Sequence, residues 1–231
     1  MDSEETIAEA AHEFIRKNPQ LLIDKFCGSC KSVLTPVSLF MAGSPGAGKT
    51  EVSLGFMRRF ETVPVRIDAD EIRKLCSGYT GTNAHLFQKA ANKGVNILYD
   101  YALENKLHVI LDGTFAYGDA IKNIERSLKR NRVVELWYVY QDPIKAWEFT
   151  KAREASESRH ISKETFVRAF FRSRTNAAEA KTTFGASLTL NLLIKNIDNT
   201  DGQLYLNIQA NELDPYLGKA YTEESLPTLL T

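Results

Sequence analysis

Gly43-Ser44-Pro45-Gly46-Ala47-Gly48-Lys49-Thr50 satisfies every fixed position of the pattern G-x-x-x-x-G-K-[ST]. In such a loop the glycines let the backbone curl until successive N–H groups point inward at phosphate oxygens, and a following helix adds its positive N-terminal end. Lys49 would reach the β- and γ-phosphates, and the Thr50 hydroxyl would ligate Mg²⁺. The chemistry implied is binding of a nucleoside triphosphate, with all eight residues Gly43 to Thr50 in the nucleotide site. The pattern requires a buried strand before it and a helix behind it. Val37 to Ala42 reads as that strand, and Val52, Phe56 and Phe60 recur at i, i+4, i+8, as on the inner face of a helix.

Two more apolar runs end in carboxylates. Val109-Ile110-Leu111-Asp112 has the form of a strand whose terminal Asp supports Mg²⁺, directly or through water. Arg66-Ile67-Asp68-Ala69-Asp70-Glu71 brings three acids in four residues to the mouth of a helix carrying Ile72 and Leu75. A carboxylate beside a phosphate loop can accept the proton of a substrate hydroxyl, which separates a kinase from a water-activating hydrolase. Asp68 and Asp70, one residue apart on extended backbone, point the same way, so the residues alone permit either as base. Lys151, Arg153 and Arg159 lie in a polar stretch suited to a mobile cover, where arginines offset the charge of phosphoryl transfer.

These residues need a scaffold that brings strand ends to one edge, and the chain alternates accordingly. Ile7, Ala11, Phe14 and Ile15 mark an N-terminal helix. Helical spacing recurs from Asn83 to Glu104, at Ile121, Ile124 and Leu128, after the Asp142-Pro143 cap, and after Ser162. Strands are expected at Val63–Asp68, Leu107–Asp112, Val133–Tyr140, Leu188–Ile194 and Leu204–Ile208, the last two parted by a turn at Asn199 to Gly202. The expectation is one α/β domain over 1–231: a P-loop NTPase of kinase-like type, a three-layer sandwich with a mostly parallel central sheet and helical additions. Residues 1–30 would form an N-terminal helical extension and 210–231 a C-terminal tail.

The chain of 231 residues carries 29 basic and 29 acidic side chains, so no global field draws it to nucleic acid or an anionic membrane. Its acidic start leads into no apolar segment of a secretory signal, and no run is long enough to span a bilayer, so a cytoplasmic location is expected. Cys27, Cys30 and Cys76 fit a reducing compartment. The Cys27-x-x-Cys30 pair ends a helix rather than starting one after a strand, and no second pair completes a zinc site. His85 and His108 have no metal-ligand companions, and Trp137, Tyr138 and Tyr140 read as packing.

Taken in order, Gly43 to Thr50, Ile67-Asp68-Ala69-Asp70, Asp112-Gly113-Thr114 and the Arg153 to Arg159 segment resemble the zeta toxins of bacterial toxin–antitoxin systems. The resemblance covers roughly residues 7–210. It implies a P-loop kinase fold, ATP as co-substrate with Mg²⁺, Lys49 and Asp70 as catalytic residues, and Arg153 and Arg159 as the lid arginines. Its best-known members phosphorylate the 3′-hydroxyl of the amino sugar in UDP-N-acetylglucosamine, and an antitoxin helix can block their nucleotide site. The resemblance therefore implies a nucleotide-sugar substrate and a proteinaceous antitoxin as partner. Lys195-Asn196 resembles a family feature near the nucleotide base. The founding members carry a His-Pro pair where this chain has Leu75 to Thr80, and they space their lid arginines more widely.

Two other readings stand beside this one. A P-loop kinase of another acceptor, a polynucleotide 5′-end or an antibiotic hydroxyl, is compatible with Asp70-Glu71-Ile72-Arg73, which resembles the acid-x-x-Arg of polynucleotide kinases. Zero net charge and the lack of basic–aromatic interleaving speak against nucleic acid. A non-catalytic nucleotide switch would need a water-positioning residue and switch loops, which the sequence does not display.

Overall fold

The computed structural model describes residues 3–158, 160–218 and 220–231. Strands β1 (Val37–Ala42), β2 (Val65–Asp68), β3 (Val109–Asp112), β4 (Val133–Tyr140), β5 (Thr189–Lys195) and β6 (Asp201–Tyr205) form one sheet, ordered β2-β3-β1-β4-β5-β6. All pairings are parallel except that of β5 with β6. Parallel neighbours need crossovers, and helices supply them: α3 (Lys49–Met57), α4 (Ala69–Arg73), α5 (Gln88–Glu104), α6 (Ala120–Leu128), α7 (Pro143–Glu157) and α8 (Lys163–Phe184). Helices α1 (Glu4–Lys17) and α2 (Pro19–Cys27) precede the sheet, and short α9 (Leu213–Leu217) and α10 (Leu226–Leu229) follow it.

The strands are apolar on both faces because helices cover both. Successive residues of β1 point to opposite sides. Leu39 and Met41 join Ile110, Trp137, Val139 and the α3 residue Phe56 in one cluster. Phe40 and Ala42 join a larger core that takes in Leu98 and Tyr99 of α5, Ile124 of α6, and Phe166 and Phe170 of α8. The result is three layers. Ala11 and Ile15 of α1 and Leu22 of α2 are buried in the same larger core.

The last hairpin departs from the sequence reading. Its turn comes earlier, because side chains at Asn196 and Asp198 fold the backbone back. Asn196 Nδ2 donates to the Asp201 carbonyl at 3.2 Å, and Asp198 Oδ1 accepts from Thr200 N–H at 3.0 Å. β6 therefore starts at Asp201, and Ile208 lies beyond it, its N–H bonded to the Leu190 carbonyl at 2.8 Å.

Helix α7 is anchored from both sides. Asp142 caps it, accepting from Ile144 N–H at 3.0 Å, and takes a second bond from the Tyr221 hydroxyl at 2.5 Å. Trp147 Nε1 donates to the Thr231 carbonyl at 2.7 Å. The C-terminal tail thus grips the helix that carries Arg153.

At the edge where the strands begin, Arg132 is 4% exposed. Its Nε donates to Ser38 Oγ at 2.6 Å, and one Nη donates to the carbonyls of Val37 at 3.0 Å and Leu107 at 2.5 Å. Ser127 Oγ donates to Ser38 Oγ at 2.7 Å, and the Tyr99 hydroxyl donates to the Asn123 carbonyl at 2.7 Å. Nearby, His108 Nδ1 accepts the Val37 N–H at 3.1 Å, which requires that nitrogen to be unprotonated. Burial first, then the Arg132 charge, hold the imidazole below its ordinary value. The unfolded chain therefore binds this proton more readily. The contribution to stability is present above about pH 6.5 and is lost as pH falls through the lowered folded-state value. The thermal midpoint should drop on acidification from about pH 7 to about pH 5. His108→Gln, which keeps an acceptor but does not titrate, should show a flatter profile; parallel profiles would exclude His108 as the cause.

Candidate active site

The phosphate loop joins β1 to α3 and is pressed from two sides. Gly46 adopts a positive φ of 73° and Gly48, the N-cap of α3, one of 85°. A methyl on Gly46 would lie 2.0 Å from the Ala146 carbonyl of α7, and one on Gly48 would lie 2.8 Å from Asn199 Oδ1 in the β5–β6 turn. Lys49 is buried, and its Nζ donates to the Ser44 carbonyl at 2.6 Å inside the loop. Gly43 N–H donates to the Thr114 carbonyl at 3.2 Å, tying the loop to the segment after β3. Ser44 and Ala47 are buried, while Pro45, Gly46, Gly48, Lys49 and Thr50 line a cavity of about 840 Å³. That is the upper part of the usual range for small-molecule sites.

The same cavity receives both strand-end carboxylates. β2 and β3 pair in parallel with Asp68 directly opposite Asp112, an arrangement that would repel without a cation. Arg66 supplies it. Two residues before Asp68 on β2, it lies on the same face, and its Nη2 donates to Asp68 Oδ2 at 2.9 Å and to Asp112 Oδ2. Ser53 of α3 adds a bond to Asp112 Oδ2 at 2.7 Å and receives one from Arg66 Nε at 3.0 Å. Burial, followed by the charges of Asp112 and Asp70, pushes the Asp68 carboxyl above its ordinary value, against the pull of the Asp70 N–H and Arg66.

Asp68 and Asp70 do not form an extended pair. Asp68 ends β2 and caps α4 by accepting the Asp70 N–H at 2.9 Å, so Asp70 sits in the first helical turn. The helix starts at Ala69, two residues earlier than an extended pair would allow, with Asp68 as a strong N-cap. Both carboxylates still line the cavity, with Arg73 and, across from them on α5, Gln88, Asn92 and Asn96. Tyr117 and Asn123 complete that end, the Asn123 amide donating to the Tyr117 hydroxyl at 3.4 Å. Arg153 reaches the cavity from α7, beside Phe149 and Thr150. Arg159 lies outside the described residues.

The donor set suits the ligands implied by the loop. Among the described residues no group of three His, Cys, Asp or Glu side chains is placed to hold a metal. The oxygens beside the loop include the Thr50 hydroxyl and the Asp112 carboxylate. That is the sparse, hard set Mg²⁺ accepts when phosphates and water supply the remainder. Asn199 Oδ1, against Gly48, is buried without a hydrogen-bond partner among the described residues, an orphan of the kind found at ligand sites.

Several of these residues escape a sequence reading. Ser53, Gln88, Asn92 and Asn199 carry no motif. Arg66 had one available signal, its spacing of two from a strand-end acid, which places cation and carboxylate on one face.

A central parallel strand feeding a phosphate loop, with acids at the ends of two neighbouring strands, defines an α/β protein of the P-loop kinase type. The family model described as Zeta toxin matches residues 23–207, and the chain belongs to the zeta toxin family. In fold it is similar to the structure of the PezAT chromosomal toxin–antitoxin system of the human pathogen Streptococcus pneumoniae, with 16% identity and a TM-score of 0.62, over 96% of this chain and 87% of that one. It is also similar to the AvrRxo1-ORF1:AvrRxo1-ORF2 complex with ATP, with 13% identity and a TM-score of 0.62, over 95% of this chain and 73% of that one. No curated protein matches it in sequence. Among the described residues no helix is long and apolar enough to cross a membrane.

The loop's enclosure yields a prediction. Gly46→Ala forces the loop or α7 to move, and a displacement costing about 1.4 kcal/mol lowers affinity tenfold. ATP affinity, measured by titration calorimetry, should fall about tenfold or more. Gly55→Ala, where a methyl meets nothing within 4 Å, should leave it unchanged. Equal affinities in the two variants would show that the contact with α7 does not constrain the loop.

Proposed function

We propose that this chain is a zeta-type kinase that transfers the γ-phosphate of ATP to a hydroxyl of a nucleotide sugar such as UDP-N-acetylglucosamine. One observation carries the reading. A single cavity holds the phosphate loop with Lys49 and Thr50, the acids Asp68, Asp70 and Asp112, and Arg153 of α7. A carboxylate so placed can accept the proton of an acceptor hydroxyl as the bond to phosphorus forms.

In this reading the backbone N–H groups of Gly43 to Thr50 and the start of α3 bind the phosphates, and Lys49 exchanges the Ser44 carbonyl for phosphate oxygens. Thr50 and Asp112 would hold Mg²⁺, which would supply positive charge to neutralise the phosphates. The acceptor hydroxyl attacks the γ-phosphorus as its proton passes to Asp70, and the bond to the ADP oxygen breaks. Arg153, with Arg159, offsets the negative charge spread over the transferring group. Asp68 caps α4 and so fixes where Asp70 stands. The family's association with toxin–antitoxin systems supports a proteinaceous antitoxin and a cytoplasmic site of action.

The cavity walls speak against a polynucleotide acceptor. Among the described lining residues Glu51, Asp68, Asp70, Asp112 and Asp119 outnumber Lys49, Arg73 and Arg153. Nucleic-acid channels carry the opposite balance.

The experiment is transfer from γ-labelled ATP to a panel of nucleotide sugars, nucleosides and RNA ends. UDP-N-acetylglucosamine should be labelled, and Lys49→Ala should lower the rate about 10²-fold or more with the fold intact. Expression of the wild-type protein should slow bacterial growth, and Lys49→Ala should relieve it. Labelled RNA ends with unlabelled sugars would replace the acceptor, and normal growth under strong soluble expression would remove the toxin reading.

The acids have separable roles. Asp70→Asn should lower single-turnover transfer by about 10² to 10⁴-fold with ATP affinity little changed. Asp112→Asn should instead weaken Mg²⁺-dependent ATP binding. A dead Asp68→Asn beside a normal Asp70→Asn would move the base to Asp68.

A further inference from the structure

Arg73 ends the five-residue helix α4 and is 7% exposed, on the floor of the cavity. A guanidinium does not shed its proton, so burying one is costly unless its donors are met. Two are met: Nη1 donates to Asp70 Oδ1, and Nη2 donates to Gln88 Oε1 at 2.6 Å. The Nε is buried without a partner among the described residues. Beyond Gln88 the chain of bonds continues, its Nε2 donating to Asn92 Oδ1 at 2.7 Å. Asp70, Arg73, Gln88 and Asn92 therefore form one hydrogen-bonded line from the end of β2 to the wall of α5, and all four line the cavity.

An incompletely satisfied buried cation is a poor stabiliser, yet removing it alone would leave the Asp70 charge without this partner. Its geometry does something an apolar side chain cannot. The guanidinium is planar, and with one prong on Gln88 and the other on Asp70 it is not free to rotate. The carboxylate it holds is three residues back on a helix too short to be rigid alone.

We propose that Arg73, braced by Gln88, is a positioning residue that fixes the Asp70 carboxylate toward the acceptor hydroxyl. This inference rests on the reading of Asp70 as base. A bulk charge would not do the same work. Lysine at this position could contact Asp70 but could not span both partners in one plane.

The test is a double-mutant cycle with Arg73→Met and Asp70→Asn. Single-turnover loss of the γ-phosphate from labelled ATP is measured with UDP-N-acetylglucosamine and with water alone as acceptor, and ATP affinity and thermal midpoint are recorded for each variant. Arg73→Met should slow the reaction about 10- to 100-fold, the size of a small misplacement, with ATP affinity unchanged. In the Asp70→Asn background it should add nothing, because it acts through Asp70. Arg73→Lys should hold the thermal midpoint yet recover only part of the rate. Should Arg73→Met fail to fold, Gln88→Leu serves in the same cycle with the same expectations. An equal loss in both backgrounds, or no loss, overturns the proposal. A normal rate in Asp70→Asn, or no turnover by the wild type with either acceptor, overturns the base assignment itself and the proposal with it.

Discussion

A strand paired in parallel on both sides cannot turn directly into either neighbour, and β1 is such a strand, with β3 on one flank and β4 on the other. The chain must leave its end, cross a face of the sheet and return. Every parallel strand therefore finishes at the same edge, and the segments that leave the strands are gathered there. The phosphate loop leaves β1, the Asp112 segment leaves β3, and the capped start of α7 leaves β4. The site is a consequence of strand direction before it is a consequence of any side chain. The loop's sharp path is then fixed by its neighbours, the Ala146 carbonyl and the Asn199 amide.

The same parallel register creates the site's electrostatic problem. It sets Asp68 and Asp112 side by side, and their mutual repulsion is tolerable only because Arg66 bridges them from within the strand. The position of Arg66 follows from the period of two along β2, so cation and acids are delivered by one geometric rule. Among the acids, Asp112 takes its bonds from Arg66 and Ser53, Asp68 gives an oxygen to the helix start, and Asp70 is tied to Arg73. Three neighbouring carboxylates are thus placed in three different environments, which is how one cavity can assign them different work.

The phosphate loop was legible because its chemistry is local: four fixed positions within eight residues specify both backbone path and ligand. Buried strands were legible as apolar runs, and β4 matches its expected span of Val133 to Tyr140. The β5–β6 turn was not, because Asn199 to Gly202 is rich in turn formers while the side chains of Asn196 and Asp198 set the actual turn. Nor was the surrounding network. The bond from Ser53 to Asp112 spans 59 residues and that from Arg73 to Gln88 spans 15, separations over which no sequence pattern reports contact. The alternation that placed Asp68 and Asp70 on one extended face failed because a helix cap intervened between them.

Arg132 sits at the opposite edge, where it joins the carbonyls of Val37 and Leu107 and the Ser38 hydroxyl. Through Ser38 and Ser127 it also meets the helix that crosses from β3 to β4. Each of these bonds shares a partner with the next. These shared partners join the starts of β1 and β3 to α6, so the strand-start edge is cross-linked by side chains as well as by the backbone ladder. The molecule is built like a fan held at its rivet, bound together by side chains where the strands begin and open to a cavity at the edge where the phosphate loop, α4 and α7 converge.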